Sequence, residues 1–277
     1  MTTQTTAPKL PAGPAAVTGD YLRQAVVIAV TLLTIAVNGM ANALPINGIQ
    51  TGKISDMYPV LFTPAGYVFA IWGVIYIGML AYTIFQALPA QRTNPRMRST
   101  GWLYVVSGLA NSLWIFLWHY FLLGWSVLVM LVLLVSLILI YARLWPTRRQ
   151  VTRSEWWTTN LSFSIYLGWI TVATVANVTV FLYQAGWNGF GISPELWTVI
   201  MLVVATGLGL FFGLRLFDVA YVLVLIWSFI GIWSKQSTAP TQMVAWAALG
   251  LSVTLAAAAV VAVMQNRRMR LDKAKTA

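Results

Sequence analysis

The sequence predicts an all-α integral membrane protein of about eight transmembrane helices, and three observations lead there. Charged residues make up 8% of the 277 positions and hydrophobic residues 59%. A soluble domain carries about 25% charged residues, so this chain cannot clothe a water-facing surface and lipid must be part of its solvent. Apolar runs near the ~20 residues needed to cross a bilayer recur along the chain, and the basic residues gather in alternate connections between them, as membrane topology requires.

Residues 1–23 are rich in Thr, Ala and Pro near their start and are expected to form a disordered N-terminus. The first span is 24–44. Arg23 precedes it and Ala41-Asn42-Ala43 mimics a signal-cleavage site, but the polar leader is long and the apolar run is of full length, so an uncleaved helix is expected. The second span, 64–88, opens on Pro64, which costs nothing in a first helical turn. The third, 101–121, is joined by a very short turn to the fourth, 124–145, and the fifth is 159–183. A Gly-rich loop, 184–195, leads to spans at 196–214, 219–234 and 242–264, and a basic tail, 265–277, follows. With the N-terminus in the cytoplasm, 15 of the 17 Lys and Arg residues fall in inner segments, and only Lys53 and Lys235 fall outside. Merging the sixth and seventh spans would place the basic tail outside, so both termini are expected in the cytoplasm, the membrane being that of a bacterium.

The chain has no cysteine, which excludes disulfides, thiolate catalysis and Cys-ligated metals. Its net charge of +11 reflects topology signals in short loops, not a nucleic-acid surface. The helix interiors hold almost no ionisable groups, which argues against ion-coupled transport and leaves no carboxylate pair or Ser-His-Asp set for catalysis. One histidine is too few for a metalloenzyme site. His119 could act as an axial haem ligand, but an interfacial histidine beside Trp118 and Tyr120 is commoner, and no metal or obligatory cofactor is expected. Arg215 and Asp218, three apart, are expected to pair at the membrane surface.

The 14 Trp, 11 Tyr and 12 Phe are the distinctive content. Trp102, Trp145, Trp156, Trp157, Trp187 and Trp233 lie near span ends and read as interfacial anchors. Others fall on helical faces: Phe69, Trp72 and Tyr76 on the second span; Asn111, Trp114 and Trp118 on the third; Trp169, Ala173 and Asn177 on the fifth. Three such faces could converge on a cavity for a flat apolar ring system. Ordinary helix packing explains the same periodicity, and asparagines also glue membrane helices together.

Local motifs add to this. The second span opens Phe62-Thr63-Pro64-Ala65-Gly66-Tyr67-Val68-Phe69 and continues to Trp72 and Tyr76; the third contains Asn111-Ser112-Leu113-Trp114; the fifth reads Tyr166-Leu167-Gly168-Trp169-Ile170-Thr171-Val172-Ala173-Thr174 and then Asn177. In this order the motifs resemble those of the TspO/translocator (tryptophan-rich sensory protein) family over about residues 24–183. The resemblance implies a five-helix bundle whose ligand pocket is capped by the loop between the first two helices. It also implies binding of porphyrins, haem or similar planar apolar molecules, a role in tetrapyrrole regulation, frequent dimerisation, and in some members light-dependent porphyrin breakdown. Carried onto matching positions, it gives Pro64, Tyr67, Trp72, Asn111, Trp114, Tyr166, Trp169, Ala173 and Asn177 as pocket residues. Ala65, Tyr67 and Ile165 depart from the family pattern. No Lys or Arg stands within five residues after Tyr183, so the family's sterol motif is absent.

Residues 196–264 have no counterpart in the five-helix pattern. They carry Gly209-x-x-x-Gly213 and a small-residue strip at Ala248, Ser252 and Ala256, which allow close helix approach either within one subunit or in place of a dimer interface. The leading expectation is a membrane sensor or regulator for a planar apolar ligand. The alternatives are an ion-independent carrier of a neutral or amphipathic molecule and a light-dependent porphyrin-degrading enzyme.

Overall fold

The computed structural model describes residues 15–44 and 46–276, with side chains described as far as residue 268. Among the described residues there is no strand, and eight helices are long and apolar enough to cross a membrane. They are α1 (Thr18–Ala43), α2 (Gly66–Ala87), α3 (Pro95–His119), α4 (Leu123–Leu144), α5 (Arg153–Gln184), α6 (Pro194–Arg215), α7 (Val219–Gln236) and α8 (Met243–Thr276).

Several helices run past the predicted spans, and local chemistry explains where they start. Asn94 caps α3 by accepting from the Arg96 amide, with Pro95 in the first turn. Thr152 caps α5 through the Glu155 amide, and Ser193 caps α6 through the Leu196 amide ahead of Pro194. α1 begins at Thr18, so residues 18–23 are helix and not part of a disordered tail; residues 1–14 lie outside the described residues. The sequence left this turn polar and so outside the apolar run, yet Asp20 secures it by accepting from the Val17 amide and from two nitrogens of the Arg98 guanidinium, at 2.7 and 2.6 Å. Residues 265–276 of the predicted tail are likewise helical, as the end of α8.

α1 to α5 form one bundle, with α1 against α2 and α3, α4 against α3 and α5, and α2 against α5. α7 docks on α5 and on the start of α2, and α6 and α8 pack with α7. The Gly209/Gly213 motif works inside the chain: a Cβ on Gly209 would lie 2.5 Å from a Leu255 methyl and 2.8 Å from one of Leu225. The small strip on α8 continues from Ala248 and Ser252 to Ala259 and Ala262; Ala256 faces outward, because a straight helix drifts off a strict four-residue step.

The basic end is more buried than the sequence suggested. Arg96 ties three helices together, reaching Glu155 at 2.6 Å, the Leu144 carbonyl at 2.9 Å, Asn160 at 2.8 Å and the Thr147 hydroxyl. Arg215 and Asp218 make no ion pair with each other. Asp218 turns inward as the N-cap of α7, accepting from the Ala220 and Tyr221 amides, from Ser164 at 2.7 Å and from Tyr141 at 2.9 Å. Burial pushes its carboxyl pKa up, against the opposing pull of those hydrogen bonds. Trp145 is buried rather than anchoring at an interface, and donates to the Leu216 carbonyl at 3.0 Å in the same turn.

Candidate functional site

The predicted site residues fall into three groups. The first is an aromatic cluster between α2 and α5. Trp169 meets Phe69 edge-on at 5.7 Å and Trp72 edge-on at 6.2 Å; Trp72 stacks on Tyr76 at 5.6 Å and meets the Tyr166 ring at 6.2 Å. Trp169 and Tyr166 are buried, while Phe69, Trp72 and Tyr76, all on α2, are partly exposed. Helical spacing produces this: positions 69, 72 and 76 share a face, and that face meets 166 and 169 of α5.

The second group is a chain of amide and hydroxyl contacts in the bundle interior. Asn38 donates to Asn111 Oδ1 at 2.7 Å, and Asn111 donates to the Tyr166 hydroxyl at 3.0 Å, joining α1, α3 and α5. Trp114 donates to Asn177 Oδ1 at 2.9 Å, and Asn177 donates to Ser126 at 2.9 Å, joining α3, α5 and α4. Both asparagines are bonded to neighbouring helices through oxygen and nitrogen alike, the gluing role. Asn38 and Ser126 were missed by the sequence reading; each is an isolated polar residue in an apolar run, and that was the available signal.

The third group stands apart. Pro64 is buried under α7, near Gly231, and Tyr67 is half exposed, its ring edge-on to Trp227 at 5.5 Å. Both pack on α7 rather than on the aromatic cluster, because α7 lies against the start of α2 and the residues just before it. Ala173 is partly buried against the core.

The loop before α2 closes one end of the bundle. Its six-residue helix, Thr51–Asp56, is held by Trp118, which donates to the Thr51 carbonyl at 3.2 Å. His119 Nδ1 donates to the Ile46 carbonyl at 2.9 Å, and Nε2 pairs with the Thr51 hydroxyl at 2.9 Å. Both ring nitrogens are thus hydrogen-bonded and the residue is buried, so His119 clips the loop to the end of α3. Among the described residues no group of acidic or His side chains could hold a metal ion.

A family model described as TSPO-like protein matches residues 24–261. The chain belongs to this TSPO-like family. The match runs on through α6 and α7 and most of α8, so the C-terminal helices, which the five-helix resemblance left over, lie within the family's own pattern. No curated protein and no solved structure matches. This TSPO-like protein is therefore an integral membrane protein with eight apolar helices among the described residues, and α7 packs against both α5 and α8.

One polar atom in the aromatic cluster stands out. Trp169 is 2% exposed, and its indole N–H finds no acceptor among the described residues. An open cavity of about 560 Å³ lies nearby but on another face of α5, and none of the nine predicted residues lines it.

Proposed function

We propose that this TSPO-like protein is a membrane sensor or regulator that receives a porphyrin or similar planar apolar molecule between α2 and α5. The supporting observation is Trp169. A buried donor left unpaired costs about 1–3 kcal/mol, and a guest that presents an acceptor beside the indole recovers that cost. The rings in front of Trp169 belong to α2 and are partly exposed, so they are the ones that part to admit a flat guest, stacking on it in turn. The charge bias of 15 to 2 supports placing both termini in the cytoplasm of a bacterial cell, with the Thr51–Asp56 loop on the opposite side.

The test is a Soret-band titration of the purified protein with protoporphyrin IX. Trp169→Phe keeps an aromatic ring and removes the donor, and is expected to weaken binding about 5- to 10-fold, the worth of one hydrogen bond of about 1–1.4 kcal/mol. Adding Asn111→Ala, which removes the tie that holds the Tyr166 ring beside Trp72, should weaken it further. Unchanged affinity in the double variant would place the guest elsewhere.

A further inference from the structure

A second face of α5 borders open space. Opposite Trp169 and Asn177 it turns Thr174, Val178 and Leu182 toward the 560 Å³ cavity, which the segment around Phe62 and the start of α6 close from the other sides. Helix packing creates the gap. The inner half of α6 is drawn onto α7 and α8 through Gly209 and Gly213, whereas its outer half carries Trp197 and Met201 toward the opening.

The roof over this space is built, not slack. Trp197 donates to the Gly189 carbonyl at 2.7 Å, and Asn188 accepts from the Phe190 amide at 3.1 Å. Gly189, Phe190 and Gly191 all hold positive φ, at 64°, 55° and 77°, and a Cβ on Gly189 would press on the Trp197 ring at 3.1 Å. A left-handed phenylalanine is uncommon and persists only where its surroundings hold it. The Trp187 ring lies 5.3 Å from that of Trp197, so a residue expected to be an interfacial anchor is part of the wall.

The lining sets the chemistry. Among the described residues around the cavity there is no Lys, Arg, His, Asp or Glu. A carboxylate entering such a site would lose its hydration with no cation to meet it. The Thr174, Thr179 and Thr198 hydroxyls already donate to carbonyls of their own helices, at 2.7, 2.8 and 2.8 Å. What they offer a guest is an acceptor lone pair. The volume lies within the usual ~300–1,000 Å³ of small-molecule pockets.

We infer that this cavity is a second ligand site, separate from the α2–α5 cluster, which takes an uncharged, largely apolar molecule bearing a hydroxyl, able to donate to the threonine oxygens and to accept from Tyr183, Trp187 or Asn188. The inference does not rest on porphyrin binding, because no residue of the aromatic cluster takes part.

The experiment is photo-crosslinking of the whole protein in nanodiscs with 4-hydroxybenzophenone, a neutral apolar phenol, and with its anionic analogue 4-benzoylbenzoate, followed by peptide mapping. The expected result is saturable labelling of 174–182 and 197–201 by the phenol, and none of these segments by the carboxylate. Val178→Trp and, from the opposite wall, Met201→Trp should each abolish the labelling, while Trp169→Phe should leave it intact. The inference is overturned by labelling that rises without saturation on lipid-facing Val203, Val204 and Leu208, as it would if only bilayer chains enter. Equal labelling by the carboxylate, or undiminished labelling in a filled variant that folds, overturns it too. If neither filled variant folds, the saturation and charge contrasts in the unaltered protein still decide.

Discussion

Gly231→Ala is expected to loosen the union of the C-terminal helices with the rest of the bundle. A Cβ at this position of α7 would lie 2.1 Å from a Val68 methyl and 3.0 Å from Pro64 Cβ, where carbon atoms normally keep about 3.5–4.0 Å apart. Val68 cannot simply turn aside. It is fully buried and β-branched, its carbonyl accepts from the Trp227 indole at 3.0 Å, and the nearby Ala65 amide donates to the Gly231 carbonyl at 3.1 Å. Relief therefore means parting α7 from α2. Overpacking of this severity costs about 3 kcal/mol, and weakening two interhelical hydrogen bonds at about 0.6 kcal/mol each adds to it. The better helix propensity of alanine returns about 1 kcal/mol. The net expectation is a loss of about 3 kcal/mol, read by detergent-titration unfolding followed by circular dichroism. Gly250→Ala is the control, since a Cβ there meets nothing within 4 Å; it should be neutral or mildly stabilising. Adding Val68→Ala to Gly231→Ala should restore much of the loss. Wild-type stability in Gly231→Ala, or equal damage from Gly250→Ala, would refute the close seam.

Asp218 gives a pH signature. Its folded carboxyl keeps a proton to higher pH than the unfolded one, so stability should fall as pH rises from 3.8 through the raised value and then level off. Asp218→Asn should remove that slope, and an unchanged slope would assign it to another group. His119→Ala should leave the haem-loaded Soret spectrum unaltered while trypsin cuts faster at exposed Lys53, because the loop loses its tie to α3; a lost Soret shift with an unaltered cleavage rate would show the reverse. Tyr166→Phe strands the Asn111 amide and should cost about 1–2 kcal/mol in the same unfolding titration; a neutral result would mean that the amide finds another partner.

The helices were legible because lipid imposes length and apolarity on every span, and the charge asymmetry correctly kept α6 and α7 apart. Their polar ends were not, since Asp20, Arg23 and Glu155 are charged in the sequence yet buried by contacts with distant loops and helices. Periodicity placed Phe69, Trp72 and Tyr76 on one face of α2 and Trp169, Ala173 and Asn177 on one face of α5, but that Trp169 meets the α2 rings is seen only in the structure. It could not say whether Asn111 and Asn177 face a guest or a neighbouring helix, because both needs select the same amide. Tyr67 and Pro64 depend on α7, more than 150 residues further along the sequence, which no local pattern reveals. The α5–α6 cavity was invisible for the same reason: it is a gap between elements, and its Thr, Val and Trp lining is ordinary membrane-helix composition.

The most direct test of ligand binding between α2 and α5 is an experimental structure with zinc protoporphyrin, located by the zinc anomalous signal. The ring should lie against Trp169 and Trp72, with the Trp169 indole N–H bonded to an acceptor on the porphyrin and the α2 rings turned aside. A zinc signal in the α5–α6 cavity or out among the lipids, with Trp169 still unpaired, would contradict it.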